Sequence, residues 1–103
     1  MITMHPGEYL AAVYIEALAL SQADLAKLLQ VSKSAVSRLV AQESDLSPEM
    51  AVRLSYVFDV PAEMWMEMQT QHSLRLAREK LKSKDFVKAP KLQQEMAHVE
   101  SEV

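Results

Sequence analysis

The chain has 103 residues, half of them hydrophobic, with one glycine, four prolines and no cysteine. This length suffices for one small domain, and the scarcity of glycine and proline favours a mostly helical one and excludes a doubly wound enzyme domain. The absence of cysteine excludes disulfides and thiolate chemistry, and the net charge of −3 argues against a wholly basic, indiscriminate nucleic-acid binder.

The first predicted helix begins at Pro6, where the missing amide of proline does no harm, and Glu8 lies in its first turn. Residues 9–18 are apolar almost all round, interrupted only by Glu16. An ordinary surface helix keeps one polar face. This helix is therefore either deeply buried or leaves an apolar surface, around Tyr9, Ala12, Val13 and Ile15, for a dimer mate or another partner.

Residues 22–41 predict two short helices joined by a tight turn, the helix-turn-helix arrangement that enters a DNA major groove. Ser21 and Ser32 each precede a helical stretch, where a hydroxyl accepts from a first-turn amide. The apolar residues expected on the inner faces are Leu25, Leu28, Leu29, Val31, Val36, Leu39 and Val40. Donors able to reach phosphates or base edges are Ser32, Lys33, Ser34, Ser37 and Arg38.

Charge is unevenly distributed along the chain. Residues 1–84 carry nine basic and ten acidic side chains, and residues 85–103 carry two and four, so the C-terminal segment supplies −2 of the net −3. Between residues 21 and 42 three bases outnumber one acid, giving +2. The segment that would face phosphate is thus modestly positive, and two-fold symmetry would double that charge.

Two further helices are predicted after a polar loop at residues 42–46. Ser47 and Pro48 provide a cap and a compatible first residue for the fourth helix, which runs to about Phe58. Pro61 begins a long fifth helix containing Trp65, whose expected role is core packing, with an oligomer interface as the alternative. Lysines 80, 82 and 84 end this helix and complement its dipole.

We therefore predict one domain at residues 5–84 and a C-terminal tail at residues 85–103. The tail lacks a strong pattern, which favours flexibility. Leu92, Met96 and Val99 have the spacing of a short helical stripe, so ordering on a partner is the alternative. Nothing in the sequence has the pattern of a signal peptide or a membrane span, so no membrane association and a cytoplasmic location are expected.

Several segments, in their order and spacing, resemble the Xre-type helix-turn-helix proteins and, more closely, the HigA-type (VapI-like) antitoxins of bacterial toxin–antitoxin modules. The matching residues, spread over about residues 5–81, are His5, Pro6, Gly7, Glu8, Leu10, Ser21, Gln22, Leu25, Ala26, Val31, Ser32, Val36, Ser37, Arg38, Leu39, Ser47, Pro48, Glu63, Trp65 and Gln69. The resemblance implies an all-α, five-helix, lambda-repressor-like fold. It also implies a homodimer that represses its own operon at a palindromic double-stranded operator and neutralises a HigB-like ribonuclease toxin.

The resemblance also indicates where DNA would be contacted. Gln22 matches a position that contacts the DNA backbone, and Lys33, Ser34, Ser37 and Arg38 match the reading face of the recognition helix. With the cap serines and the residue after the second motif helix, the predicted DNA-binding set is Ser21, Gln22, Ser32, Lys33, Ser34, Ser37, Arg38 and Gln42. No toxin-contact residues are predicted.

The chain departs from the family pattern at three places. Ala19 and Gln30 stand where glycine is common, and a positive φ at Gln30 would cost on the order of 1 kcal/mol. The loop after the recognition helix, often basic in this family, contains Glu43 and Asp45 instead. Two acids near phosphate weaken binding, so moderate operator affinity is expected, with lysine at both positions strengthening it.

Other functions are less compatible with the sequence. A free-standing Xre-type repressor without a toxin is the main alternative, and a module that binds chiefly protein through its first helix or tail is another. Catalysis is not expected, because His5, His72 and His98 lack ligand spacing and no serine lies in a glycine-framed elbow. No glycine-rich phosphate loop is present, and neither a metal nor a cofactor is expected.

Overall fold

The computed structural model describes residues 4–89, and within them the chain is helical, with no strand. The helices are α1 (Pro6–Leu10, continuing as a π-helical segment at Ala11–Glu16), α2 (Gln22–Leu29), α3 (Lys33–Val40), α4 (Pro48–Val57) and α5 (Ala62–Lys80), followed by a 3₁₀ turn at Ser83–Asp85. The predicted all-α, five-helix fold is confirmed. None of these helices combines the length and the apolar character needed to cross a membrane.

Serine caps begin three of the helices. The hydroxyls of Ser21, Ser32 and Ser47 each accept from the amide three residues later at 3.0 to 3.1 Å. At α2 the Asp24 carboxylate returns a hydrogen bond to the Ser21 amide, completing a capping box. The Ser21 hydroxyl and amide beside the Asp24 carboxyl lower its pKa. All three predicted caps are confirmed.

The turn between α2 and α3 contains a left-handed residue that is not glycine. Gln30 has φ 59°, and Ala19, the other position where glycine is common, has φ 55°. The Arg53 guanidinium donates to the carbonyls of Leu29 at 2.9 Å and Gln30 at 3.2 Å, and its other nitrogen pairs with Glu49. A side chain of α4 thus satisfies carbonyls that the end of α2 leaves open.

The hydrophobic core forms where the helices meet. Its buried members are Leu10, Leu25, Ala26, Leu29, Val36, Leu39, Leu46, Ala51, Leu54, Trp65 and Met68. Trp65 is fully buried, with Tyr9 edge-on to its ring, which confirms its predicted core role. The prediction for Leu28 is wrong, because this residue is 48% exposed. It is rotated by about 100° from its neighbour Leu29, beyond the edge of the buried stripe of α2.

The apolar first helix is buried only in part. Leu10 is fully buried, whereas Tyr9, Val13 and Ile15 are half-buried and Ala12 is exposed. Deep burial, the first of the two predicted alternatives, is therefore wrong for most of this helix. Within the π-helical segment at Ala11–Glu16 no residue is fully buried.

The ends of α4 and α5 agree closely with the sequence prediction. α5 begins at Ala62, one residue later than predicted, and ends at Lys80. Within the predicted tail, Phe86 and Val87 are exposed. The possible helical stripe of Leu92, Met96 and Val99 lies outside the described residues.

Candidate nucleic-acid interface

The eight predicted DNA-binding residues lie on α2, α3 and the turn that follows α3. Their positions are the cap and first residue of α2 (Ser21, Gln22), the cap and body of α3 (Ser32, Lys33, Ser34, Ser37, Arg38) and the second residue after α3 (Gln42). Gln22 and Ser37 are half-buried, and the other six are exposed. The set is therefore accessible to a ligand, with one pair packed between the two helices.

A hydrogen bond joins the two half-buried members. The Ser37 hydroxyl donates to Oε1 of Gln22, which links the start of α2 to the middle of α3. The Gln22 amide nitrogen keeps its hydrogens for a phosphate, while Ser37 has used its only hydrogen. We predicted Ser37 as a donor, but this bond leaves its oxygen as an acceptor, suited to an amino group of adenine or cytosine.

The start of α3 is arranged to receive an anion. Ser32 accepts from the Ala35 amide at 3.1 Å through its hydroxyl oxygen and keeps its own hydrogen for an outside acceptor. The first amides of a helix and the positive end of its dipole favour phosphate at this position. Lys33 lies directly beside that end and is exposed. The Ser32 hydroxyl, the first amides of α3 and the Lys33 ammonium therefore all favour binding of an anion at the start of α3.

Arg38 occupies the last turn of α3. It is exposed and lines a shallow depression together with Ser44 and Asp45. Within residues 4–89, neither Arg38 nor Lys33 forms an ion pair, since both ion pairs found there belong to Arg53 and Arg75. The two cations of the recognition helix are thus available to an outside anion.

The loop after α3 begins with a left-handed residue that the sequence did not indicate. Gln42 has φ 62°, its amide donates to the Leu39 carbonyl at 3.0 Å, and the Glu43 amide donates to the Arg38 carbonyl at 2.8 Å. These bonds satisfy carbonyls at the end of α3. The Glu43 side chain is exposed and makes no ion pair with residues 4–89.

The second acid of this loop has a structural contact. Asp45 accepts from the Gln69 side-chain nitrogen at 3.2 Å, and the Gln69 oxygen accepts from the Leu46 amide at 2.7 Å. Gln69 is 6% exposed. Asp45, although exposed, is therefore tied to the buried Gln69 of α5. The expectation that both acids weaken DNA binding stays a prediction.

The C-terminal end of α3 packs against the start of α1. Gly7 packs so closely against α3 that an added Cβ would lie 1.8 Å from the Leu39 carbonyl oxygen. The Gly7 amide donates to Nδ1 of His5 at 2.9 Å, so His5 is the cap of α1. Gly7 and His5 were matched by the family resemblance, but nothing in their spacing indicated this contact.

His5 is buried beneath the loop that follows α3. Burial lowers the pKa of His5, and the nearby His72 lowers it further, while the backbone of Ser44 and the carboxylate of Asp45 raise it. The His5 and His72 rings meet edge to face at 5.1 Å between centroids. Because Nδ1 accepts from an amide, Nε2 carries the hydrogen, and the neutral ring is the form that fits this site.

Comparisons with known proteins agree with this geometry. The helix-turn-helix family HTH_3 matches residues 14–65. Virulence-associated protein I of Dichelobacter nodosus is 33% identical over 87 residues, covering 84% of this chain and 81% of that protein. Two Pseudomonas aeruginosa structures are also similar. Antitoxin HigA with the higBA promoter has a TM-score of 0.78 at 32% identity, over 87% of this chain and 98% of that one. PA4674 with its 28-base-pair operator has a TM-score of 0.73 at 36% identity, over 76% and 86%.

Proposed function

This chain belongs to the HTH_3 (Xre-type) helix-turn-helix family of DNA-binding regulators and antitoxins, and we propose that it is an antitoxin that represses its own toxin–antitoxin operon and neutralises a HigB-like ribonuclease toxin. The observation that carries the DNA-binding part is the α3 surface, where a capped helix start and two cations without acidic partners lie together. No catalytic role is proposed.

The DNA-binding unit that we propose is a homodimer of residues 5–84, with residues 85–103 as a tail. Two copies of α3 would enter successive major grooves of a palindromic operator, about 34 Å apart. Gln22 and the cap serines Ser21 and Ser32 would hold the backbone, and Lys33, Ser34, Ser37, Arg38 and Gln42 would lie at or beside the bases. The net charge of +2 on residues 21–42 supports the placement of this segment against the DNA phosphates.

The toxin partner is supported by the similarity to a HigA antitoxin. The test is to tag the full chain at native expression in its own host and identify what co-purifies at near-equal amount. A small basic protein that arrests growth when freed is the expected result. Recovery of the tagged chain alone would instead favour the free-standing repressor, for which the similarity to an operator-bound structure is the supporting observation.

Replacing Arg38 with alanine tests the DNA surface. We expect operator binding to weaken by about 1 to 3 kcal/mol, with preference lost at one base position if the guanidinium reads a base. Uniform weakening over all sequences would indicate a phosphate contact. Fluorescence anisotropy with systematically varied operators separates the two, and Lys88→Ala removes one positive charge outside the motif as the control. Unchanged binding by Arg38→Ala would exclude this surface.

Replacing Glu43 with lysine should strengthen operator binding. The substitution exchanges an exposed acid beside α3 for a base, and we expect roughly three- to tenfold tighter binding at low salt, with a steeper salt dependence. Glu43→Gln, which only removes the charge, should give a smaller gain. Asp45 is left unchanged because it accepts from Gln69. If anisotropy titrations at two salt concentrations show no gain for either variant, the loop does not approach phosphate.

A further inference from the structure

Positive charge in this chain is concentrated at the end of α5 rather than on the recognition helix. Residues 75–84, which we call the basic segment, carry five bases and one acid, a net charge of +4. Residues 1–74 carry four bases and nine acids, a net charge of −5. Nearly half of the eleven basic side chains therefore lie in ten consecutive residues, and the basic segment is more positive than the +2 of residues 21–42.

The basic segment is open to solvent. Every residue from 73 to 89 is exposed, and the described chain is elongated, with principal extents of 56 × 30 × 23 Å. Arg75 is paired with Glu79 at 3.1 Å. The other four bases, which form no ion pair in the described part of the chain, are Arg78, Lys80, Lys82 and Lys84. Four cations of the segment are therefore available to an anion from outside.

The chain turns after α5 and brings three of these bases together. α5 ends at Lys80, and Leu81 and Lys82 have extended backbone. In the 3₁₀ turn that follows, the Asp85 amide donates to the Lys82 carbonyl at 3.0 Å. An open depression of about 460 Å³ results, which is lined by Arg78, Leu81, Lys82, Ser83 and Lys84. Three cations and one hydroxyl thus border one depression, and its lining contains no acid.

The charge of the basic segment selects an anionic partner. Of the two partners in the proposed function, the toxin is expected to be a basic protein, which the segment would repel. Duplex DNA, in contrast, carries one negative charge per about 1.7 Å of its axis. Basic and hydroxyl side chains bind its phosphate oxygens without reading the sequence. Charge complementarity therefore favours DNA.

α5 also contacts the loop that borders the recognition helix. The Gln69 side chain donates to Asp45 at 3.2 Å, and Asp45 lines a depression together with Arg38 of α3. Lys80 follows Gln69 by eleven residues, which is about 16 Å along the helix axis. At about 3.4 Å per base pair this distance corresponds to roughly five base pairs. A duplex held by α3 is therefore long enough to reach the basic segment if it continues a few base pairs past the half-site.

We propose that the basic segment is a second DNA-binding surface, which binds the phosphate backbone outside the half-site that α3 occupies. Arg78, Lys82 and Lys84 bind phosphate oxygens at the depression that they line. The Ser83 hydroxyl is a further donor there. This contact adds affinity at every sequence, because phosphates carry no sequence information. It rests on the proposed function, in which α3 holds an operator, and extends the contact with DNA beyond the half-sites.

The test compares the affinity of the full chain for two duplexes from the promoter of its own gene. The shorter duplex ends at the outer edges of the palindromic half-sites, and the longer one adds about ten base pairs of unrelated sequence, or about 34 Å, on each side. Fluorescence anisotropy at about 0.1 M salt should show roughly tenfold tighter binding of the wild type to the longer duplex. With Arg78→Gln, Lys82→Gln and Lys84→Gln combined, the difference between the duplexes should fall below about threefold.

Salt dependence gives a second measurement on the longer duplex. Each lost phosphate contact lowers the slope of log K against log salt by about 0.9, so the triple glutamine variant should have a slope shallower by about 2 to 3. The matched control keeps all three charges through Arg78→Lys, Lys82→Arg and Lys84→Arg, and it should bind within about threefold of the wild type. Circular dichroism of each variant verifies that α5 remains helical.

The remaining outcomes separate the basic segment from the operator function. Equal affinity and equal salt slope of the wild type and the triple glutamine variant would overturn the proposal. Loss of binding to vesicles of anionic phospholipid in that variant, with DNA binding unchanged, would assign the segment to a membrane surface instead. If the wild type binds its promoter no more tightly than an unrelated duplex of equal length, the operator function fails. Weaker binding of the glutamine variant to that unrelated duplex would still support the second surface.

Discussion

Replacing Gly7 with alanine is expected to destabilise the fold by about 3 kcal/mol or more. The new Cβ would lie 1.8 Å from the Leu39 carbonyl oxygen and 2.7 Å from its carbon. Both are backbone atoms of α3, so no side-chain rotation relieves the overlap. α1 would have to move away from α3. This would separate Leu10 from the core and loosen the packing of α1 against the recognition helix α3.

Thermal and urea unfolding measure this effect directly. For a domain of this size each kcal/mol corresponds to roughly 4 to 8 °C, so we expect the melting temperature of Gly7→Ala to fall by roughly 12 to 24 °C. Glu8→Ala, at the exposed neighbouring position, should cost less than about 1 kcal/mol and controls for changes at the start of α1. Equal stability of the two variants would show that α1 can shift without cost and would contradict the close contact with α3.

Features that depend on neighbouring residues were predictable from the sequence. The caps at Ser21, Ser32 and Ser47 follow from a hydroxyl placed directly before a helical stretch, and the structure confirms all three. The positive φ of Gln30 followed from the family resemblance. The compensation for it did not, because Arg53 reaches this turn from a helix more than twenty residues later in the chain.

Features that depend on packing between distant segments were not predictable. Periodicity alone placed Leu28 inside, since it cannot tell how wide a stripe the neighbouring helices cover. The candidate DNA-binding residues were placed on α2 and α3 by sequence, but the role of Ser37 changed once its hydroxyl was found donating to Gln22, fifteen residues away. Gly7 and Gln69 matched the family without any indication of what either contacts.

Replacing Gln69 with leucine should also destabilise the fold strongly. Leucine fills a similar space but leaves the buried Leu46 amide without its 2.7 Å acceptor, which costs about 1 to 3 kcal/mol. The bonds from the Gln69 nitrogen to Asp45 and Ser73 are lost as well, and the total expected is about 3 kcal/mol. Urea unfolding measures the loss, and faster hydrogen exchange of the Leu46 amide assigns it to this site.

A second variant separates the contribution of the buried hydrogen bond between Leu46 and Gln69 from that of the bonds made by the Gln69 nitrogen. Ser73→Ala removes only one partner of the Gln69 nitrogen and should cost less than about 1 kcal/mol. Because Gln69 ties the loop after α3 to α5, Gln69→Leu should also weaken operator binding at temperatures where the protein is folded, whereas Ser73→Ala should not. If both variants unfold at the same urea concentration as the wild type, the loop is held by its apolar contacts alone, and the buried amide finds another acceptor.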